Sequence, residues 1–514
     1  MTARTLAVLG TGSDVGKSLI TAGICRVLHR AGIRVAPFKA QNMSLNSFVT
    51  PEGGEIGRAQ ALQAEACGIP PHVDMNPILL KPESATRSQV VVQGVLWSTQ
   101  EASTYFERRQ QLWSIVQESY ARLASQYEVV VIEGAGSAAE VNLRERDLVN
   151  WPVVKLAHAP VLLVADIDRG GVFAQVLGTL DLLEPDERAM VCGVVINKFR
   201  GDATLFADGV NFLESRSRIP VLGVVPFLRD LTLDQEDSLD RQGLRQAEFS
   251  TKRINIAVVL LPHMSNFTDF NVLAEEDDVA LKYVDVPAAL DGADIVIIPG
   301  SKSTQADLSH IVTLGYAPAL AQHVDRHREL VGICGGYQML GRTISDPYRV
   351  EQGGGMSGLG YLDVETELGR SKCTTQVEAS AIPFLLSVPC VVRGYQVHMG
   401  HTRRVNERPC FQVHSPPVAD NRAVQVSEHD GAVRSDGLVW GTYIHGVFDE
   451  PGFRRVWLNR ARARKGLLPL ALQVSDSVTA RRRSELDRWA DHLARSMDLA
   501  GLVAGLNRAR MQSQ

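Results

Sequence analysis

The chain has 514 residues, of which 45% are hydrophobic and 22% charged, and its formal net charge is -5. That length exceeds one ordinary core and predicts two or three domains, while a composition this close to average excludes a disordered or fibrous chain. The mild acidity excludes a protein whose main partner is nucleic acid, because phosphate neutralisation needs a dominant basic surface. Seven scattered cysteines without a C-x-x-C pair point to a reducing compartment. The N-terminus enters a strand-like run directly and no apolar run approaches a membrane span, so the expected location is cytoplasmic.

Short β-rich runs, "TLAVLG", "RVAPF", "EVVVIEG", "PVLLVAD", "VCGVVIN" and "VLGVVPF", alternate with helical stretches to about residue 228. Such runs separated by helices predict a parallel sheet buried on both faces. The first run enters "GTGSDVGKS" and an amphipathic helix, the context of a phosphate loop. Gly12 and Gly16 let backbone N–H groups approach an anion, Lys17 is placed to reach terminal phosphates, and Ser18 to ligate magnesium. Thr11 stands where the strict spacing wants glycine. Lys39 in "FKAQNMS" and Glu133 in "VVVIEGAGS" each end a strand on the edge where such folds bind ligands. Glu133 is the expected acidic magnesium ligand, and Lys39 the expected partner of a γ-phosphate or a substrate carboxylate. The plainer readings, a strand-end carboxylate and a solvated lysine, stand beside these.

The series "GTGSDVGKS", "FKAQNMS", "GRAQALQAEA", "VIEGAGS", "ADIDRGGVFA" and "VINKFRGD" resembles the dethiobiotin-synthetase-like domain of the cobyric and cobyrinic acid amide synthases. The resemblance implies a fold that activates a carboxylate with ATP and Mg2+. It accounts for Thr11, since that family's loop reads G-T-x-[ST]-x-x-G-K-[ST], and it implies that Asn197 reads the adenine. Gln60 lies where dethiobiotin synthetases carry an aspartate near magnesium, which leaves the second metal ligand open.

At "LRDLTLDQEDSLDRQGLRQAEFSTKR" polarity replaces the apolar runs, and a linker is expected. A second α/β series follows in "INIAVVLL", "ADIVIIPG", "LVGICGG" and "GLVWGTYIHGVF", with strand-like, turn-rich sequence between residues 352 and 430. "GICGGYQMLG" sets Cys334 in a tight turn from strand to helix, a nucleophile elbow, which predicts an exposed thiol activated by the helix N-terminus. The backbone at Gly335 and near Gly300 in "IIPGSKST" is the expected oxyanion hole, with Gln338 a candidate glutamine contact. His445 is the expected base, since nucleophile and base need meet only in the fold.

These residues resemble the class I glutamine amidotransferases, a flavodoxin-like fold whose cysteine takes the glutamine amide carbon and releases ammonia. Most of that class carry H-x-E; here His445, Gly446 and Val447 stand in a row, as in the cobyric and cobyrinic acid branch, and Asp449 is the candidate for orienting the base. Joined, the two halves imply conversion of a carboxylic acid to a primary amide through an acyl phosphate. "ADIDRGGVFA", "EVNLRERDLVN" and "GYQVHMGHT" resemble the part of the family that amidates side chains b, d, e and g of adenosylcobyrinic acid a,c-diamide. The corrinoid is then a substrate, and Asp166, Asp168 and Arg169 are expected near its carboxylates. Gln396 replaces the family's usual glutamate and receives no essential catalytic role.

The rival readings are amidation of the a and c side chains, amidation of a cell-wall precursor, and a ParA-like ATPase switch. The last would carry a second lysine near the start of its loop, and residues 10–16 contain none. Whether the chain forms a homo-oligomer is left open. "RRVWLNRARARKG" and "VTARRRSELDRWADHLARSMDLAGLVAGL" predict a helical tail packed on the second domain, with a basic surface for an anionic ligand as the other reading. The expected division is an amidoligase domain over 1–230, a linker over 231–252, an amidotransferase domain over 253–465 and the tail over 466–514.

Overall fold

The six apolar runs of the N-terminal half pair side by side in one sheet. Its elements are β1 (Arg4–Gly10), α1 (Lys17–Arg30), β2 (Val35–Phe38), α2 (Arg58–Ala66), β3 (Val129–Glu133), β4 (Val161–Asp166), β5 (Val191–Phe199) and β6 (Val221–Pro226). The strand order is β6-β5-β4-β1-β3-β2, and every neighbouring pair is parallel. Alternation explains why both faces need cover: Leu6 and Val8 join a core with Ile20, Ile24 and Leu28 of α1, while Ala7 and Leu9 join another with Phe38 and Trp151.

The computed structural model describes residues 3–83, 87–101, 108–233, 248–414, 428–471 and 478–499. It divides into two units, residues 1–44, 56–237 and 480–514 in the first and residues 45–55 and 238–479 in the second. Most of the expected linker, residues 234–247, lies outside the described residues, as does the end of the tail from residue 500.

The second unit has its own parallel sheet, built from β7 (Ile254–Val259), β8 (Val279–Val284), β9 (Ile295–Ile298), β10 (Glu329–Ile333) and β14 (Val439–Thr442), with the short antiparallel edge strand β13 (Ala432–Val433). The order is β8-β7-β9-β10-β14-β13. Sequence reading passed over β8, an edge strand whose run is broken by the half-buried Lys282. The turn-rich stretch contains the long antiparallel pair β11 (Val364–Ala381) and β12 (Val391–Arg404). Cys334 and the short helix α3 (Gly335–Met339) follow β10 directly.

The two arginine-rich helices part company. Helix α4 (Pro451–Arg464) buries Phe453, Trp457 and Leu458 in the second unit's core. Its arginines turn inward: Arg454 and Arg455 pair with Glu276, Arg462 with Asp278, and Arg460 and Arg464 with the fully buried Glu329. They serve the fold rather than forming the basic surface considered for the tail. Helix α5 (Val478–Ser496) packs not on the second domain, as its position in the chain suggested, but in the first unit. Leu486, Trp489 and Leu493 enter the core against α1, Trp489 Nε1 donates to Leu19 O at 2.7 Å, and Arg26 forks onto Asp487 with two bonds of 2.8 Å. Gly23 makes room, since a Cβ there would lie 2.3 Å from Leu493. An amphipathic stripe shows that a helix needs a partner surface, and only shape and charge complementarity select which one.

Candidate active sites

In the first unit, the loop after β1 turns into α1 through Gly16, which has φ of +96°, a conformation suited to glycine. Lys17 bends across the loop and donates to the carbonyls of Gly12 (2.8 Å) and Gly136 (2.9 Å). Glu133, opposite Val8 in the pairing of β3 with β1, is fully buried. Its Oε1 accepts from Ser18 Oγ at 2.7 Å and from Lys39 Nζ at 2.9 Å, and its Oε2 accepts from Gln63 and, at 3.4 Å, from Gln60. Burial works against its charge, but the Lys39 ammonium, with Gln63 and Ser18 donating, holds the carboxyl below the usual range. Gln60, expected only as a departure from a family pattern, therefore faces the site, and it also accepts from Asn42 at 2.9 Å.

Asn197 Nδ2 donates to Val15 O at 2.9 Å and so braces the loop itself. Asp166 accepts from Lys198 (2.9 Å), Asp168 pairs with Arg200, and the largely exposed Arg169 reaches Asp14 at 3.2 Å. The three therefore sit in separate ion pairs along one rim. The hydrogen bond from Arg200 holds Asp168 below its usual value. Among the described residues there is no cluster of three or more His, Cys, Asp or Glu fit to hold a metal ion.

In the second unit, Gly300, Cys334 and His445 follow the C-terminal ends of the neighbouring parallel strands β9, β10 and β14. Cys334 has φ of +51° and ψ of -106°, a strained backbone for a residue with a side chain, as a nucleophile elbow requires. The expectation of an exposed thiol is corrected: Cys334 is 6% exposed, and its Sγ lies 3.7 Å from Val397 O. Parallel strands on both sides enclose the turn. All seven cysteines are free.

His445 is fully buried, and its Nδ1 lies 2.7 Å from Asp269 Oδ2, while Asp269 Oδ1 accepts from Gly446 N at 3.0 Å. Asp269 takes the orienting place, and the expectation for Asp449 is corrected. Asp449 N bonds back to Gly446 O within its own turn. Asp269 lies 176 residues upstream of His445, in a 3-10 turn (Phe267–Phe270), with no motif to mark it. Its one signal was a carboxylate soon after a strand of the same sheet. Nε2 of His445, otherwise without a partner, faces Cys334. Burial alone would push the imidazole down; Asp269 and then Cys334 outweigh it and raise His445 to about 10.

Gly300 lies against the base, since a Cβ there would be 3.1 Å from His445 Cε1, and a Cβ at Gly335 would be 2.9 Å from Ser301 N. Gln338 is buried with both ends of its amide engaged, accepting from Thr304 at 3.1 Å and donating to Tyr443 at 3.0 Å. Gln396 donates to Asp430 at 2.9 Å. Asp430 is fully buried, and burial lifts it to about 6 against the hydrogen bonds from Thr442 and Tyr443.

Comparison with known proteins identifies each half of the chain. Residues 6–239 match the family described as the CobQ/CobB/MinD/ParA nucleotide binding domain, and residues 255–453 the CobB/CobQ-like glutamine amidotransferase domain. The chain is 48% identical to a cobyric acid synthase of Syntrophobacter fumaroxidans, with 97% of each chain covered. It is 49% identical to one of Klebsiella pneumoniae, covering 95% of this chain and 97% of the other, and 46% identical to one of Moorella thermoacetica, covering 98% of both.

Proposed function

The chain belongs to the cobyric acid synthase family, glutamine-dependent amidoligases of cobalamin biosynthesis, and on that premise we propose its substrate and its mechanism. The substrate is adenosylcobyrinic acid a,c-diamide, amidated at side chains b, d, e and g with nitrogen from glutamine and energy from ATP. The observation that carries this reading is the pairing, in one chain, of the Lys17, Ser18, Lys39 and Glu133 network with a Cys334, His445 and Asp269 triad.

In the second unit Cys334 Sγ attacks the glutamine amide carbon, and N–H groups at Gly300 and Gly335 receive the oxyanion. Gln338, held by Thr304 and Tyr443, shapes the wall that glutamine meets. An imidazole that keeps its proton, as the elevated value of His445 favours, is the donor that the leaving nitrogen needs. Ammonia departs and a thioester remains; water then attacks it while His445 takes a proton, and glutamate leaves. In the first unit a substrate carboxylate oxygen attacks the γ-phosphorus of ATP, and ADP departs, giving an acyl phosphate. Lys17 and Lys39 balance the phosphate charge, Asn197 contacts the adenine, and Arg169, with Asp166 and Asp168 beside it, meets the corrinoid carboxylates. Ammonia displaces inorganic phosphate to leave the primary amide.

The donor set fits magnesium, since the Ser18 hydroxyl and the Glu133 carboxylate are hard oxygen donors 2.7 Å apart, and such sites leave phosphate and water to complete the shell. Ser18 and Glu133 would hold the ion, which when bound neutralises phosphate charge.

The test incubates the protein with glutamine, Mg-ATP and the a,c-diamide, following glutamate release and corrinoid mass. Successive OH-to-NH2 replacements, supported by free ammonia but not by glutamine in Cys334→Ala, are expected. An unchanged corrinoid alongside glutamine hydrolysis would overturn the substrate assignment and direct attention to cell-wall precursors.

A further inference from the structure

Asp430 is a buried carboxylate whose bonding partners, rather than Asp430 itself, meet the nucleophile and the base of the second unit. It lies in a two-residue strand (His429–Asp430) paired with Phe411–His414, and its backbone carbonyl accepts from Cys410 N at 3.0 Å. Donors surround its oxygens. Gln396 Nε2 donates to Oδ1 at 2.9 Å, the Thr442 hydroxyl donates to Oδ2, and Tyr443 N lies 3.3 Å from both.

Thr442 and Gln396 each belong to a segment in contact with the reacting pair. Thr442 ends β14, and its carbonyl accepts from Cys334 N at 2.8 Å. Its hydroxyl accepts from the N–H of Ile444, the residue before His445, at 3.0 Å. Gln396 stands on β12 between Tyr395 and Val397. Tyr395 and His445 exchange backbone hydrogen bonds, Tyr395 N to His445 O at 3.1 Å and His445 N to Tyr395 O at 2.8 Å. Their rings lie nearly parallel, with centroids 5.4 Å apart, while Val397 O lies 3.7 Å from Cys334 Sγ. One carboxylate therefore joins the strand end that holds Cys334 N and leads into His445 to the strand that backs both side chains.

We infer that Asp430, in its ionised form, is a positioning residue that sets Cys334 against His445, acting through Thr442 and Gln396. The inference rests on the amidotransferase reading. The ionised form is the one its donors require. Thr442 Oγ1 already accepts from Ile444 N, so its own proton is directed at Asp430, and a proton on that carboxyl oxygen would set two hydrogens in one contact. Arg404, which donates to Gly431 O at 3.1 Å, favours the charge, and Tyr337, Tyr443, Cys373 and Cys410, which face Asp430 from neighbouring elements, are kept neutral by burial. Burial brings the proton onto Asp430 at about pH 6, and its arrival forfeits the Thr442 bond and loosens the strand end.

The experiment measures kcat and KM for glutamine in the full chain from about pH 5 to about pH 8, for wild type, Asp430→Asn, Thr442→Val and Thr442→Ser. Wild-type kcat should fall about 10-fold between about pH 7 and about pH 5, as Asp430 takes up its proton. In Asp430→Asn, which cannot titrate there, kcat should be about 10- to 100-fold lower at neutral pH and flat across that span, with KM within about 2-fold of wild type. Thr442→Val removes a hydrogen bond that favours the charge, so the acid limb should move to higher pH by about one unit. Thr442→Ser keeps the hydroxyl and should bring the limb back. General loosening of the unit lowers kcat without moving the limb, so the two Thr442 variants decide the matter even where Asp430→Asn fails to fold. An acid limb absent from wild type, or at the same pH in wild type and both Thr442 variants, overturns the inference, as does an Asp430→Asn kcat within about 2-fold of wild type at neutral pH. Labelling of Cys334 by an electrophilic glutamine analogue, read by mass, separates the two levels. An unlabelled wild-type Cys334 with no glutamate released overturns the amidotransferase reading and the inference with it, whereas a labelled one confines any failure to Asp430.

Discussion

Glu133 and His445 are both fully buried, yet they are supported differently. Glu133 draws on Ser18, Lys39, Gln60 and Gln63, donors from three separate stretches of the first unit. His445 depends on one carboxylate, Asp269, with Tyr395 holding its backbone. A buried charge shared among several donors tolerates the loss of one neutral donor, whereas a single buried pair concentrates its energy in one contact. The nucleotide site is therefore the more buffered of the two, except where its central charges are removed.

The largest effect separates the regions outright. Cys334→Ala should lower glutamine hydrolysis by roughly 1,000-fold or more, leaving ammonia-dependent amidation intact, as parallel assays with the two nitrogen sources would show. Glu133→Gln comes next. It leaves Lys39 buried without its carboxylate, so unfolding of the first unit should become easier by about 3–5 kcal/mol in urea titrations. Amidation should fall about 100-fold with either nitrogen source.

Asp269→Asn sharpens the contrast. The value of His445 lies above its ordinary 6.5, so its protonation stabilises the fold in full below about 6.5, and that contribution is lost as pH rises through about 10. Without the Asp269 carboxylate the value falls, so this contribution should be smaller and be exhausted at lower pH in urea midpoints measured from pH 6 to 10. kcat for glutamine should drop about 10- to 100-fold, whereas Asp449→Asn should change it less than about 2-fold. Within the first unit the smaller effect belongs to Gln63→Met, which removes one of several donors to Glu133. It should cost about 1.5–3 kcal/mol in thermal or urea unfolding, less than Glu133→Gln.

How much was legible follows from where each signal resides. The phosphate loop is contiguous, so Gly16, Lys17 and Ser18 announce themselves by spacing, and Glu133 follows as the acidic end of the neighbouring strand. Cys334 likewise stands out among its glycines. Gln63, which bonds to Glu133, was not singled out, because a glutamine within a helix carries no local mark of the carboxylate it will meet. Asp269 was missed for the same reason, while Asp449 attracted notice only through its nearness to His445 in the chain.

Taken alone, the sequence determined the two α/β sheets, the strand ends that bear chemistry and the family, because hydrophobic periodicity and contiguous motifs are local properties. Tertiary structure decided which carboxylate orients His445, that helix α5 seats on the first unit, and that Leu45–Glu55 crosses into the second. Each of these depends on a match of shape and charge between segments far apart in the chain, and such matches exist only once the fold has brought the segments together.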